Sequence, residues 1–191
     1  MLTLSLTAEL EGVTGLKPTD TEENPYYFTF KVQCTGCRET HPKWVTFNRF
    51  EKLEIPGSRG EANFVWKCRL CSKAHSASIT AGPHAYEAEE KKKKGRTIIE
   101  LDCRGLEFVE FKADVRPPAL AFCSQCEYSS PIPVADWLLL FFFQGEWEAQ
   151  GAESSTSFTG IDLSEGEWYD YDEKTSEEVS IKEVKWSIER A

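Results

Sequence analysis

Histidine is scarce in this 191-residue sequence: three are present, His41, His75 and His84. No two of them stand in the H-x-x-x-H spacing that aims two imidazoles at one zinc from a helix face, so the commonest hydrolytic metal signature is absent. A surplus of basic charge is missing as well. With 22 Lys and Arg against 32 Asp and Glu, the formal charge is −10 and the isoelectric point about 4.9. That balance opposes general binding to a nucleic-acid backbone, which clustered cations drive. The apolar run 137–143 is far shorter than the roughly 20 residues a membrane-crossing helix needs, and it reads as an aggregation hazard rather than an anchor. No basic segment followed by an apolar stretch and a small-residue cleavage site opens the chain. No secretory leader is therefore expected, and the expected compartment is the cytoplasm, with nuclear presence compatible. Seven cysteines, an odd number, in a reducing compartment point to metal ligands and free thiols rather than a disulfide framework.

What is present is more telling. Two C-x-x-C pairs, Cys34-Thr-Gly-Cys37 and Cys68-Arg-Leu-Cys71, each end a strand-like run. Together they supply four thiolates for one tetrahedral Zn²⁺, a closed set that leaves no position for water or substrate and so points to a structural metal, one per chain. Thiolates also favour Cu(I). Gly36 is expected to provide the left-handed backbone of the first knuckle. Arg38, Lys67, Arg69 and Lys73 flank the ligands and would offset a four-thiolate site of net charge about minus two. Reduced core cysteines or two redox pairs are the competing readings. His75, four positions after Cys71, could replace a ligand, but reads more simply as an exposed or core histidine. Cys103 is expected to be a buried, inert thiol. A third pair, Cys123-Ser-Gln-Cys126, has no partner pair.

Strand signals recur along the chain at 2–10, 26–34, 44–50, 63–68, 74–80, 97–102, 156–163 and 179–188, whereas capped segments of helical period are almost absent. The class expected is all-β. Gly12, Gly15 and Pro18 are expected to break the chain into a turn and loop. The composition changes near Gly82-Pro83, which suggests an N-terminal zinc-binding half, 1–82, and a C-terminal half, 83–191, without a matching pair of knuckles. A short echo supports duplication: Glu9-Leu10-Glu11 with Leu16 after a glycine, against Glu100-Leu101-Asp102 with Leu106 after Gly105. The lysine run 91–94 reads as a solvated loop in so acidic a chain.

These residues resemble the eukaryotic CXXC-motif-containing zinc-binding protein family. The likeness lies in the paired C-x-x-C motifs, in Cys103-Arg104-Gly105-Leu106-Glu107, in E-S-S-T-S-F-T-G-I-D-L at 153–163, and in Trp168 followed by Y-D-Y-D-E-K. The resemblance implies two similar antiparallel β half-domains in an elongated protein, zinc held by Cys34, Cys37, Cys68 and Cys71, and no established enzymatic activity. The block 115–144 stands apart from it. Its Val-Arg start, Ala135-Asp136 and L-L-L-F-F-F-Q end are compatible with the donor, branch and acceptor signals of a translated intron.

The function expected is a zinc-stabilised, monomeric, non-enzymatic module that binds another protein, with a link to metal handling open. The acidic aromatic stretch 168–172 suits a protein partner; neither nucleic acid nor membrane is expected. Two alternatives stand beside it: a thiol- or zinc-dependent enzyme, and a zinc-ribbon factor associated with nucleic acid.

Overall fold

The computed structural model describes residues 1–87, 95–113 and 146–190. These residues form fourteen β-strands and no helix, so the expected all-β class holds, and every strand pairing is antiparallel. No helix among them is long and apolar enough to cross a membrane. The block 115–144, with Cys123 and Cys126, lies outside the described residues, as does the lysine run 91–94.

Alternation sets the strands. In β1, Leu2–Glu11, the side chains of Leu2, Leu4, Leu6 and Ala8 are buried. In β3, Phe28–Cys34, the same period of two buries Phe28, Phe30, Val32 and Cys34, so the first cysteine is carried inward by the hydrophobic face of its own strand. Phe30 stacks on Phe108, with ring centroids 4.5 Å apart, and on Phe47 at 5.6 Å. Trp147 donates its indole N–H to Tyr26 Oη at 3.2 Å inside the same core.

The other strands are β2 (Val13–Pro18), β4 (Val45–Phe47), β5 (Leu53–Glu54), β6 (Glu61–Ala62), β7 (Phe64–Lys67), β8 (Ala74–Ala81), β9 (Arg96–Arg104), β10 (Leu106–Lys112), β11 (Trp147–Gly151), β12 (Ser157–Ile161), β13 (Trp168–Asp172) and β14 (Glu177–Arg190). A six-stranded sheet runs β13-β14-β1-β9-β8-β7, and two three-stranded sheets run β10-β3-β4 and β12-β11-β2. The larger sheet is palindromic about the β1–β9 pairing. Reading outward, β9, β8 and β7 correspond to β1, β14 and β13, while β10, β3 and β4 correspond to β2, β11 and β12. Two equivalent units result. One is the continuous stretch from β3 to β10. The other begins at β11, ends at β14 and is completed by β1 and β2, so its strands follow the same order after a circular permutation.

Four expectations change. The division at 82/83 is redrawn by the pairing, because it would cut the first unit between β8 and β9, and strands from both sides of it share three sheets. Gly12 and Gly15 do not open a loop: with φ of 70° and 67° they redirect the backbone, a conformation glycine adopts without a Cβ clash, and β2 continues to pair with β11. The echo also has another register. Gly12 between β1 and β2 matches Gly105 (φ 78°) between β9 and β10, so Val13, not Leu16, stands where Leu106 does. Finally, the second unit does possess a matching pair of turns, β11–β12 and β13–β14, without the cysteines.

Candidate metal centre

Each knuckle is closed by two backbone hydrogen bonds. In the first, Cys34 N–H donates to Glu39 C=O at 2.9 Å and Arg38 N–H to Cys34 C=O at 2.9 Å; in the second, Cys68 N–H donates to Lys73 C=O and Ser72 N–H to Cys68 C=O, both at 3.0 Å. The left-handed residue comes at the fifth position of each turn, Arg38 (φ 62°) and Ser72 (φ 57°). Gly36, expected in that role, is not among the positive-φ residues. A Cβ there would make only an ordinary contact, 3.8 Å from Cys34 Sγ.

The two turns face each other. All four Sγ atoms lie within 4.8 Å of one another, with Cys34–Cys71 at 3.7 Å and Cys37–Cys68 at 3.4 Å. A tetrahedron with Zn–S bonds of about 2.3 Å has S···S edges of about 3.8 Å, so this donor set fits a thiolate-bound ion of that size. The four sequence-predicted residues are thus brought together, two buried and two half-buried. Cys103 is held apart from them. Burial pushes its thiol up to about 12, with Asp102 and Glu107 adding to the effect, which suits an inert thiol.

The protons on the four sulfurs are unequal. The backbone N–H of Cys37 holds the Cys34 thiol down at about 6, whereas burial and the Glu39 carboxylate push Cys68 up to about 12. Four adjoining thiolates repel one another, and only a cation lets all of them ionise. Metal capture at this site therefore releases protons.

Two further side chains complete the site: Glu39, which the sequence did not assign, and His75, read there as an alternative ligand or an exposed or core histidine and found in the core. Glu39 Oε2 accepts the Cys68 thiol and the Leu70 N–H, both at 2.9 Å, and these bonds hold its carboxyl below the usual range. A metal-bound Cys68 carries no proton, so Glu39 would then keep only the Leu70 bond of the two. His75 is buried, and its Nε2 lies 3.3 Å from Cys34 Sγ. Its ring faces Trp66, 5.6 Å between centroids, and Gly105 backs it so closely that a Cβ there would strike Nδ1. A histidine held in this way can donate to a metal-bound thiolate without being a ligand. Its place four residues after Cys71 was the only sequence signal.

Two of the flanking cations have protein partners. Arg38 reaches Glu107 at 3.7 Å and Gln33 at 3.5 Å, while the charge of Arg69 is felt at Glu39 and His41.

Comparison with known proteins places these features in a family. The profile of the eukaryotic CXXC motif containing zinc binding protein matches residues 3–129 and 137–189. The UPF0587 protein C2D10.03c of Schizosaccharomyces pombe is 43% identical over 98% of this chain and 97% of its own length. The CXXC motif containing zinc binding protein of Rattus norvegicus is 35% identical over 96% of this chain and 94% of its own. The crystal structure of C1orf123 is similar at a TM-score of 0.76 and 31% identity, covering 100% of this chain and 99% of that one.

Proposed function

This chain belongs to the eukaryotic CXXC motif containing zinc binding family, and from that premise we propose that Cys34, Cys37, Cys68 and Cys71 hold one structural Zn²⁺ in a non-enzymatic protein that works by binding another protein. The observation that carries the metal assignment is the mutual spacing of the four Sγ atoms. Four thiolates fill a tetrahedral ion and leave it no position to activate water. The ion would join the β3–β4 turn to the β7–β8 turn, which the hydrogen bond from Leu70 N–H to Glu39 already links.

The partner surface we assign is β13, an outer strand of the six-stranded sheet. Asp170 and the side chains of Tyr169 and Tyr171 are exposed there, beside Glu167 and Glu173. An outer strand carries backbone groups that a further strand can pair with. Exposed tyrosines supply contact area at low entropic cost, and the acidic flanks favour an extended segment bearing Lys or Arg. The protein acts as a monomer in this reading.

Crosslinking of the zinc-loaded full chain in cell extract, wild type against Tyr169→Ala/Tyr171→Ala, tests it. A specific protein captured by the wild type and lost in the variant is expected. The same proteins captured by both, or none by either, would refute the partner assignment. Zinc-dependent turnover in the holo form, or thiol reactivity there, would refute the non-enzymatic one.

A further inference from the structure

We infer that the paired turns 151–156 and 172–177 are a second knuckle pair in which a carboxylate network does the work that an ion does at Cys34, Cys37, Cys68 and Cys71. The inference rests on the reading that those cysteines hold zinc.

Three of the four backbone bonds that close the cysteine knuckles recur in these turns. Gly151 N–H donates to Thr156 C=O and Ser155 N–H to Gly151 C=O, as Cys34 does to Glu39 and Arg38 to Cys34; Ser155 has φ 53° where Arg38 has 62°. In the other turn, Ser176 N–H donates to Asp172 C=O, as Ser72 does to Cys68, with φ of 58° and 57°. The flanking register agrees as well. Cys34 pairs with Leu106, and Gly151 with Val13, each partner directly following the left-handed glycine. Thr35 N–H donates to Gly105 C=O, and Ala152 N–H to Gly12 C=O. By position, then, Gly151, Ser154, Asp172 and Thr175 stand where the four cysteines stand.

The side chains show what replaced the metal. Asp172 is buried, accepts a short hydrogen bond from Ser154 Oγ, and accepts Thr156 Oγ1 at 3.0 Å and Lys174 N–H at 2.9 Å. Ser154 and Asp172 are the counterparts of Cys37 and Cys68, so this bond joins the two turns along the same edge as the Cys37–Cys68 contact. Ser154 is the leading cause of an Asp172 carboxyl held below the usual range. A Cβ built on Gly151 would run into Ser154 Oγ and come 2.8 Å from Asp172 Oδ2; a side chain at 151 would therefore point into the node, as Cys34 points at its partners. The neighbour of the thiolates changes too. Val179 occupies the place of His75, and a Cβ on Gly12 would meet Val179 Cγ1 at 2.8 Å, as one on Gly105 would meet His75. Where no thiolate needs a donor, the position is apolar.

The test is zinc stoichiometry by native mass spectrometry on the full chain. The variant Gly151→Cys/Ser154→Cys/Asp172→Cys/Thr175→Cys is expected to bind two zinc ions where the wild type binds one. A folded variant that still binds one would overturn the inference; a wild type that binds none would overturn the zinc reading itself. If the fourfold variant does not fold, Asp172→Ala decides. In the zinc-loaded protein it should speed amide exchange at Thr156 and Lys174 by about tenfold or more, leaving Arg38 and Ser72 unchanged. Unaltered exchange at Thr156 and Lys174 would overturn the inference.

Discussion

Replacing His75 by valine separates its role at the metal from its role in packing. The second unit already shows that valine fits: Val179 sits against Gly12 in the place where His75 sits against Gly105. His75→Val should therefore leave the metal-free fold near wild-type stability while removing the ring nitrogen that lies 3.3 Å from Cys34 Sγ. Loss of such an outer partner weakens metal binding by about 10- to 100-fold, which corresponds to about 1.4 to 2.8 kcal/mol. Competition for zinc against a chelator of known affinity at fixed pH reads that change, and thermal unfolding of both metal-free proteins serves as the control. Unchanged zinc affinity in a normally folded variant would show that His75 is packing alone. A metal-free protein destabilised as strongly as the holo form would show that the valine of the second unit is no guide to this position.

Further outcomes follow from the same geometry. Cys68→Ser should abolish stoichiometric zinc and raise amide exchange between β3 and β10, with the turns at 151–156 and 172–177 keeping their protection, because coordination energy is also folding energy; full zinc occupancy in the purified variant would contradict this. The folded carboxyl of Asp172 lies below its ordinary value near 3.9, so its contribution to stability is fully present above roughly pH 4 and disappears as the pH falls through the folded value. The difference in urea midpoint between wild type and Asp172→Asn should accordingly shrink as the pH is lowered from about 5 to about 2.5, and a constant difference would refute the role of the charge. Deleting 115–144 should preserve zinc binding and improve solubility by removing the apolar run 137–143. The equivalent link between β2 and β3 needs only residues 19–27. Unfolding on deletion would make the block a structural element.

Much of the fold was legible because it rests on alternation. β1 and β3 carry buried apolar residues at every second position, and shorter buried pairs in β9 (Ile99 and Leu101) and β14 (Val179 and Ile181) keep the same period, a signal that needs no knowledge of partners. β2 was hidden because two of its signals, Gly12 and Gly15, are breakers in most settings and here only redirect the chain. β5 and β6 are two residues each, too short for any period. β4 ends at Phe47 rather than at residue 50 because Asn48 Oδ1 accepts the N–H groups of both Phe50 and Glu51 and turns the chain. The cysteines announced themselves by spacing, since one ion can join two distant turns only if each turn presents its sulfurs in a fixed pattern. Glu39 and His75 have no such pattern, and their contacts with Cys68 and Cys34 exist only after the sheets assemble. The node at Asp172 is less visible still. Serine, threonine and aspartate are ordinary turn residues, and the permuted strand order places the repeat out of phase with the chain's own halves.

X-ray absorption at the zinc edge of the purified full chain, combined with metal analysis, bears most directly on the central assignment. The expected result is one zinc per chain surrounded by four sulfurs at about 2.3 Å and no oxygen or nitrogen ligand. A nitrogen from His75 in the coordination sphere, an open position filled by water, or zinc well below one per chain in fully folded protein would contradict it.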